Sequence, residues 1–191
     1  VAALAVVPLV FSLAACGSSS NGNGDSKKIT IGVVGNETAN QVLKDEAAKQ
    51  GITIEYSEFT DYAQPNPAVD AGDNDMNRFQ HIAYLANYNV SSGKDLQIVG
   101  STNIYPMAIF SKKHKKVDEI PQGGTIAIPN DSVNEARALL LLKAQNLVTF
   151  KSEVHTPTHN DIDTGKSKVK VTPVDAAQTV VSLDSVDAAV I

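Results

Sequence analysis

Two groups of residues in this chain have types and spacings suited to holding a small ligand, and a third could hold a metal. The stretch NRFQHIAYLANY, Asn77 to Tyr88, gathers Phe79, His81, Tyr84 and Tyr88 in a chain with five phenylalanines, five tyrosines and no tryptophan. Aromatic and imidazole side chains at this spacing could wall a pocket, and they suit a packed core as well. Read as a helix, the stretch puts Phe79, Ile82, Ala83 and Ala86 at i, i+3, i+4 and i+7 on one apolar face, with His81, Tyr84 and Tyr88 on the adjacent face. Core and pocket both satisfy that pattern.

The second group is TIAIPNDSVNEAR, where Asn130, Asp131 and Ser132 fall between a strand and a helix. Free backbone N–H groups and the helix dipole at such a junction favour an anion such as a carboxylate. Arg137 follows a little more than one turn into the helix. Its i−4 and i+4 neighbours, Val133 and Leu141, offer no carboxylate, so it is either solvated, paired at long range, or available for a bidentate contact to a ligand.

The third group, HTPTHNDID, holds His155, His159, Asp161 and Asp163, a nitrogen and oxygen set that a divalent metal could use. Pro157 between the histidines argues against a shared helix face and for a polar surface loop. DNDMN at Asp73 to Asn77 begins like a calcium loop, but Arg78 occupies the place of the sharp-turn glycine and Tyr84 that of the bidentate glutamate. No hydrolase, zinc-protease, phosphate-loop or dinucleotide motif is present, and no enzyme is expected.

The elements that must position these groups alternate. ITIGVV (29–34) reads as a strand, 38–50 as a helix stopped at Gly51, and ITIEYSEF (52–59) as a second strand. Asn66 is expected to cap a helix with Pro67 at its first position, the aromatic helix follows, and LQIVGST (96–102) is expected as the third strand. YPMAIFSKK is extended, and the pattern then restarts: strand TIAIP, a helix over 132–146 with a Ser132/Glu135 capping box, strand KVKVTPV, a helical DAAQTVVSL and strand DAAVI. Alternation throughout predicts an α/β fold with mostly parallel sheets, its first lobe at 29–111 and its second at 112–191. Hydrophobic residues make up 42% and charged residues 19%, a globular balance. A net charge of −5, with KKHKK (112–116) as the only basic run, excludes a nucleic-acid-binding surface and leaves that run as a solvated turn.

The single cysteine, Cys16, ends the uncharged run VAALAVVPLVFSLAAC. That run is shorter than the roughly 20 apolar residues a bilayer-spanning helix needs and matches the apolar region of a secretory signal. LAAC resembles the lipobox of bacterial lipoproteins, which implies lipidation of Cys16 after removal of the segment before it. GSSSNGNGDSKK (17–28) is expected to act as a flexible tether. The sequence begins without an initiator methionine or a basic start and ends within an apolar strand, so the native chain is expected to extend beyond both ends.

FTDYAQPNPAV, NRFQHIAYL, YPMAIFSKK, TIAIPNDSVNEARALLLL and SLDSVDAAVI, in that order, resemble the NlpA-type methionine-binding lipoproteins, the substrate receptors of bacterial methionine ABC importers. The resemblance implies a two-lobed, type II periplasmic-binding-protein-like fold that closes on a free amino acid between its lobes. It implies that Phe79, His81 and Tyr84 line the side-chain pocket, that Tyr62 and Tyr105 contribute more weakly, and that Arg137 grips the carboxylate. It further implies an extracytoplasmic, membrane-anchored protein that partners an ABC permease and its ATPase, without cofactor or metal. The chain departs from the common family pattern F-Q-H-K-P-Y-L at Ile82-Ala83 and has Asn74 to Asn77, NDMN, where the family has I-D-A-N. The family also continues past DAAVI with a ligand-binding asparagine and strands that return to the first lobe. A divalent-metal receptor built on His155 and His159 is the alternative, and a lipid-anchored enzyme on the same fold a more distant one.

Overall fold

The computed structural model describes residues 27–35 and 37–191. The expected signal segment, Cys16 and the tether up to residue 26 lie outside the described residues. Strand β1 (Lys27–Val34) and strand β2 (Ile52–Phe59) run parallel, with Ile31 opposite Tyr56, and helix α1 (Thr38–Lys49) joins them. Helix α2 (Pro65–Asp70) leads to the short strand β3 (Met76–Arg78), which pairs with the other edge of β1 to give the order β2-β1-β3. Helix α3 (Ile82–Ser92) follows and ends at Gly93, whose φ of 64° is the left-handed conformation that glycine adopts without strain.

Residues 94–108 cross to the second lobe without helix or strand. There β4 (Ile109–Phe110), β5 (Thr125–Pro129), β6 (Lys170–Val174) and β7 (Ala188–Val190) form a sheet in the order β4-β7-β5-β6, parallel except for β4. Helix α4 (Ser132–Ala144) joins β5 to β6, and a 3-10 turn with the short helix α5 (Thr179–Ser182) joins β6 to β7. In each lobe one strand, β1 or β5, is central, flanked by two later strands that run parallel to it. Both lobes also close this arrangement with the same clasp. Asp75, just before β3, accepts from the Thr30 amide at 2.7 Å, and Asp187, just before β7, accepts from the Thr125 amide at 2.8 Å.

The cores are unequal. In the first lobe Ile31, Val33, Ala47 and Ile54 are buried, with Leu43 and Met76 packed alongside. The second lobe buries Ile126, Ile128, Leu139, Leu142, Leu147, Phe150 and Val190 among others, which makes it the larger apolar body.

Several expectations need correction. The third strand of the first sheet is Met76–Arg78, and 96–102 forms none: Ile98 and Val99 are exposed and have no strand to pair with among the described residues. The aromatic helix begins at Ile82, so Phe79 precedes it. Ile82, Ala83 and Ala86 face solvent, while Leu85 is buried. Asn66 lies inside α2, which starts at Pro65. Asp131, not Ser132, caps α4 by accepting from the Asn134 amide, and Glu135 is turned away from the cap toward His159. Among the described residues no helix is long and apolar enough to cross a membrane.

Candidate functional site

Parallel sheets expose their strand carboxyl ends where helices begin, and the side chains of interest converge there. On the first lobe, Tyr62, Phe79 and Tyr84 form a three-way edge-to-face cluster. Their ring centroids are 5.6 Å apart for Tyr62 and Phe79, 5.7 Å for Phe79 and Tyr84, and 6.2 Å for Tyr62 and Tyr84. Such contacts set each ring's positive edge against a neighbour's negative face. All three rings stay partly exposed. The Tyr84 hydroxyl donates to the Tyr62 carbonyl at 3.1 Å, which fixes the spacing of the cluster.

The loop carrying Phe79 and His81 is held from below by amides. Asn66, 1% exposed, exchanges two hydrogen bonds with Gln80, and Asn77 donates to Asn66 at 2.8 Å and accepts from Gln80 at 2.9 Å. No charge is buried, so the network holds the loop without the desolvation cost of an ion pair.

His81 is the residue through which the lobes meet. Its Nδ1 accepts the Tyr84 amide at 3.2 Å as the N-cap of α3, while Nε2 lies 2.9 Å from Oδ1 of Asn134 on α4. The neutral tautomer with its proton on Nε2 satisfies both contacts. The same Asn134 oxygen accepts from Arg137 at 2.7 Å, and the Asn134 side-chain amide donates to Asp131 at 3.1 Å. A cap, an amide and a guanidinium are thereby aligned on the first turns of α4, facing the aromatic cluster. Among the described residues Arg137 bonds only to Asn134 and has no carboxylate partner, which leaves most of its five N–H donors free.

The surrounding charge is acidic. Burial, then Asp131, Asp61 and Asp175, push the Tyr84 phenol up to about 12. Burial, Asp131, Asp175 and Glu37 raise that of Tyr62. Both phenols are therefore neutral hydrogen-bonding groups at physiological pH. A cavity of about 200 Å³ opens beside the cluster, lined by Tyr62, Asn66, Tyr84, Tyr88 and Asp131.

The structure thus brings Tyr62, Phe79, His81, Tyr84 and Arg137 to one junction. Tyr105 stands apart: the residue is 65% exposed and its hydroxyl reaches only Glu37, at 3.5 Å. The histidine-rich stretch also disperses. His155 is exposed, His159 bonds the buried Glu135 at 2.7 Å, Asp161 caps its own turn through Thr158, and Asp163 pairs with Lys166. Among the described residues no three His, Cys, Asp or Glu side chains are grouped to hold a metal. Sequence reading missed Asn134, although its N-x-x-R spacing from Arg137 is a helical neighbour pair. It also missed Asn66, Asn77 and Gln80, for which no local signal exists.

Comparison with known proteins places the chain. The family model for NlpA lipoprotein matches residues 29–191. Outer membrane lipoprotein 1 of Mannheimia haemolytica is 42% identical over 172 residues, covering 86% of this chain and 61% of that protein. A probable D-methionine-binding lipoprotein MetQ of Vibrio cholerae is 39% identical, covering 94% of this chain and 67% of its own. The chain thus spans about three fifths to two thirds of the length of these relatives. Among solved structures, the substrate binding protein of a methionine transporter from Streptococcus pneumoniae superimposes with a TM-score of 0.78 at 40% identity, covering 86% of this chain and 67% of that one. A nutrient binding protein from Burkholderia cenocepacia, bound to methionine, gives 0.77 at 39% identity, covering 85% and 70%. The two-lobed α/β architecture is thus that of periplasmic-binding-protein-like receptors, and this chain belongs to the NlpA lipoprotein family.

Proposed function

We propose that this protein is the lipid-anchored, extracytoplasmic receptor of an ABC importer, that it binds a free amino acid between its lobes, with methionine the best fit, and that it hands this ligand to a membrane permease without transforming it. The observation that carries the reading is the facing of the Tyr62, Phe79 and Tyr84 cluster on one lobe by Arg137 and the α4 N-terminus on the other. In this reading Arg137 and the α4 amides take the carboxylate. Phe79 and Tyr84, with Tyr62 behind them, hold the thioether, each sulfur–aromatic contact contributing about 0.3–1.5 kcal/mol. His81 sets the approach of the lobes, and Tyr105 joins the site only at its margin. Anchoring assigns Cys16 to a lipid, and the names of the relatives as lipoproteins support it.

Thermal unfolding with L-methionine, D-methionine, leucine, glutamine and zinc tests the proposal. At 100 times its dissociation constant a ligand stabilises by about 2.7 kcal/mol. Selective stabilisation by methionine is expected. Stabilisation by zinc alone would transfer the function to a metal.

A further inference from the structure

The crossover between the lobes, residues 94–108, has no regular structure of its own, so the points where it is tied determine where it can bend. At its start, Asn89 holds Leu96 by two hydrogen bonds, of 2.9 and 3.1 Å. At its end, Ala108 and Ile191 exchange backbone hydrogen bonds of 2.8 and 2.9 Å, and Met107 packs against the core of the second lobe. Among the described residues, 97–102 bond only locally, Gln97 to Asp95.

One side chain interrupts this free run. Arg78, at the carboxyl end of β3, has a side chain only 13% exposed. Its Nη1 donates to Glu37 at 2.9 Å and to the buried Asn40 at 2.7 Å, both beside the N-terminus of α1, and its Nη2 donates to Asn103 of the crossover at 3.0 Å. Tyr105 reaches the same Glu37 carboxylate. A planar guanidinium can address both sides of such a gap at once, whereas an ammonium cannot span the two directions.

We propose that Arg78 is the positioning residue of this crossover: it clamps Asn103 to the first lobe and confines bending within the crossover to Ile104, Tyr105 and Pro106, where Tyr105 is held only by its long hydroxyl contact to Glu37. The clamp shortens the free crossover from 97–106 to 104–106, and proline narrows what remains. The inference rests on the reading of the protein as a receptor whose lobes move, but its test needs no ligand, so failure of methionine binding and failure of the clamp are separable.

The test is a pulsed electron-resonance measurement of the distance between spin labels at the exposed Val42 and Val180, one on each lobe, in the full chain with Cys16 replaced by serine. Chain reach grows as the square root of residue number, so Arg78→Ala and Asn103→Ala should each widen the distance distribution roughly twofold. Arg78→Lys should widen it as Asn103→Ala does, because it keeps the ion pair and loses the crossover contact. Asn103 is exposed and its replacement leaves the first-lobe ion pair intact, so a folded variant is secured even if Arg78→Ala unfolds. An unchanged width in Asn103→Ala overturns the proposal, whatever Arg78→Ala does, since Arg78 would then act only within its own lobe.

Discussion

The imidazole of His81 joins three levels of the molecule through two nitrogens, capping α3 with one and reaching Asn134 of the other lobe with the other. His81→Ala should therefore cost about 1 kcal/mol through the lost cap, read by chemical denaturation, and should weaken ligand binding as well. The family resemblance singles out His81 in the sequence, but not as a cap, since caps are ordinarily sought among Ser, Thr, Asp and Asn. The amide network under the loop was not legible either, because amides find partners through tertiary approach. Asn66→Ala should destabilise by about 1–3 kcal/mol by leaving the Gln80 side-chain oxygen unpaired, measured by urea unfolding. A change below 0.5 kcal/mol would mean that water replaces the network without loss.

At the scale of elements, each lobe depends on an aspartate just before the last of its strands in chain order. The Thr125 amide, with help from His114 and Lys113, holds the Asp187 carboxyl below its ordinary value. A depressed folded value means that the clasp's contribution is complete above the ordinary carboxylate range and is lost as pH falls through the folded value. Asp187→Asn should lower stability at neutral pH and flatten the acid limb of the stability profile, as followed by circular dichroism between pH 2 and 7. An equally steep acid limb in the variant would assign the acid sensitivity elsewhere. Elements with their own periodicity were readable: β2 spans Ile52–Phe59 and β5 Thr125–Pro129 as the patterns indicate, and α1 ends one residue short. Elements defined by a neighbour were not. Met-Asn-Arg carries no alternation and is a strand because β1 offers it an edge, while LQIVGST has the composition of a strand and no such edge among the described residues. Helix α3 failed for a related reason, since its burial is set by Leu85 and the aromatic cluster and not by the stripe its spacing suggests.

For the whole molecule, the unequal cores separate stability from closure. Leu139, 0% exposed in the larger core, should cost about 2–5 kcal/mol on truncation to alanine while leaving the geometry of the first-lobe cluster untouched. The central claim is that an amino acid lies across the junction, its carboxylate on Arg137 and its side chain against Phe79 and Tyr84. Isothermal titration with L-methionine and with its methyl ester, against the native chain and Arg137→Ala, tests this most directly. The account predicts binding of methionine to the native chain and a loss of about 3–5 kcal/mol in Arg137→Ala, because the ligand carboxylate would be left without its charged partner. It predicts a comparable loss for the ester on the native chain and little further loss when the two changes are combined. Equal affinity for methionine in the native chain and Arg137→Ala would contradict it.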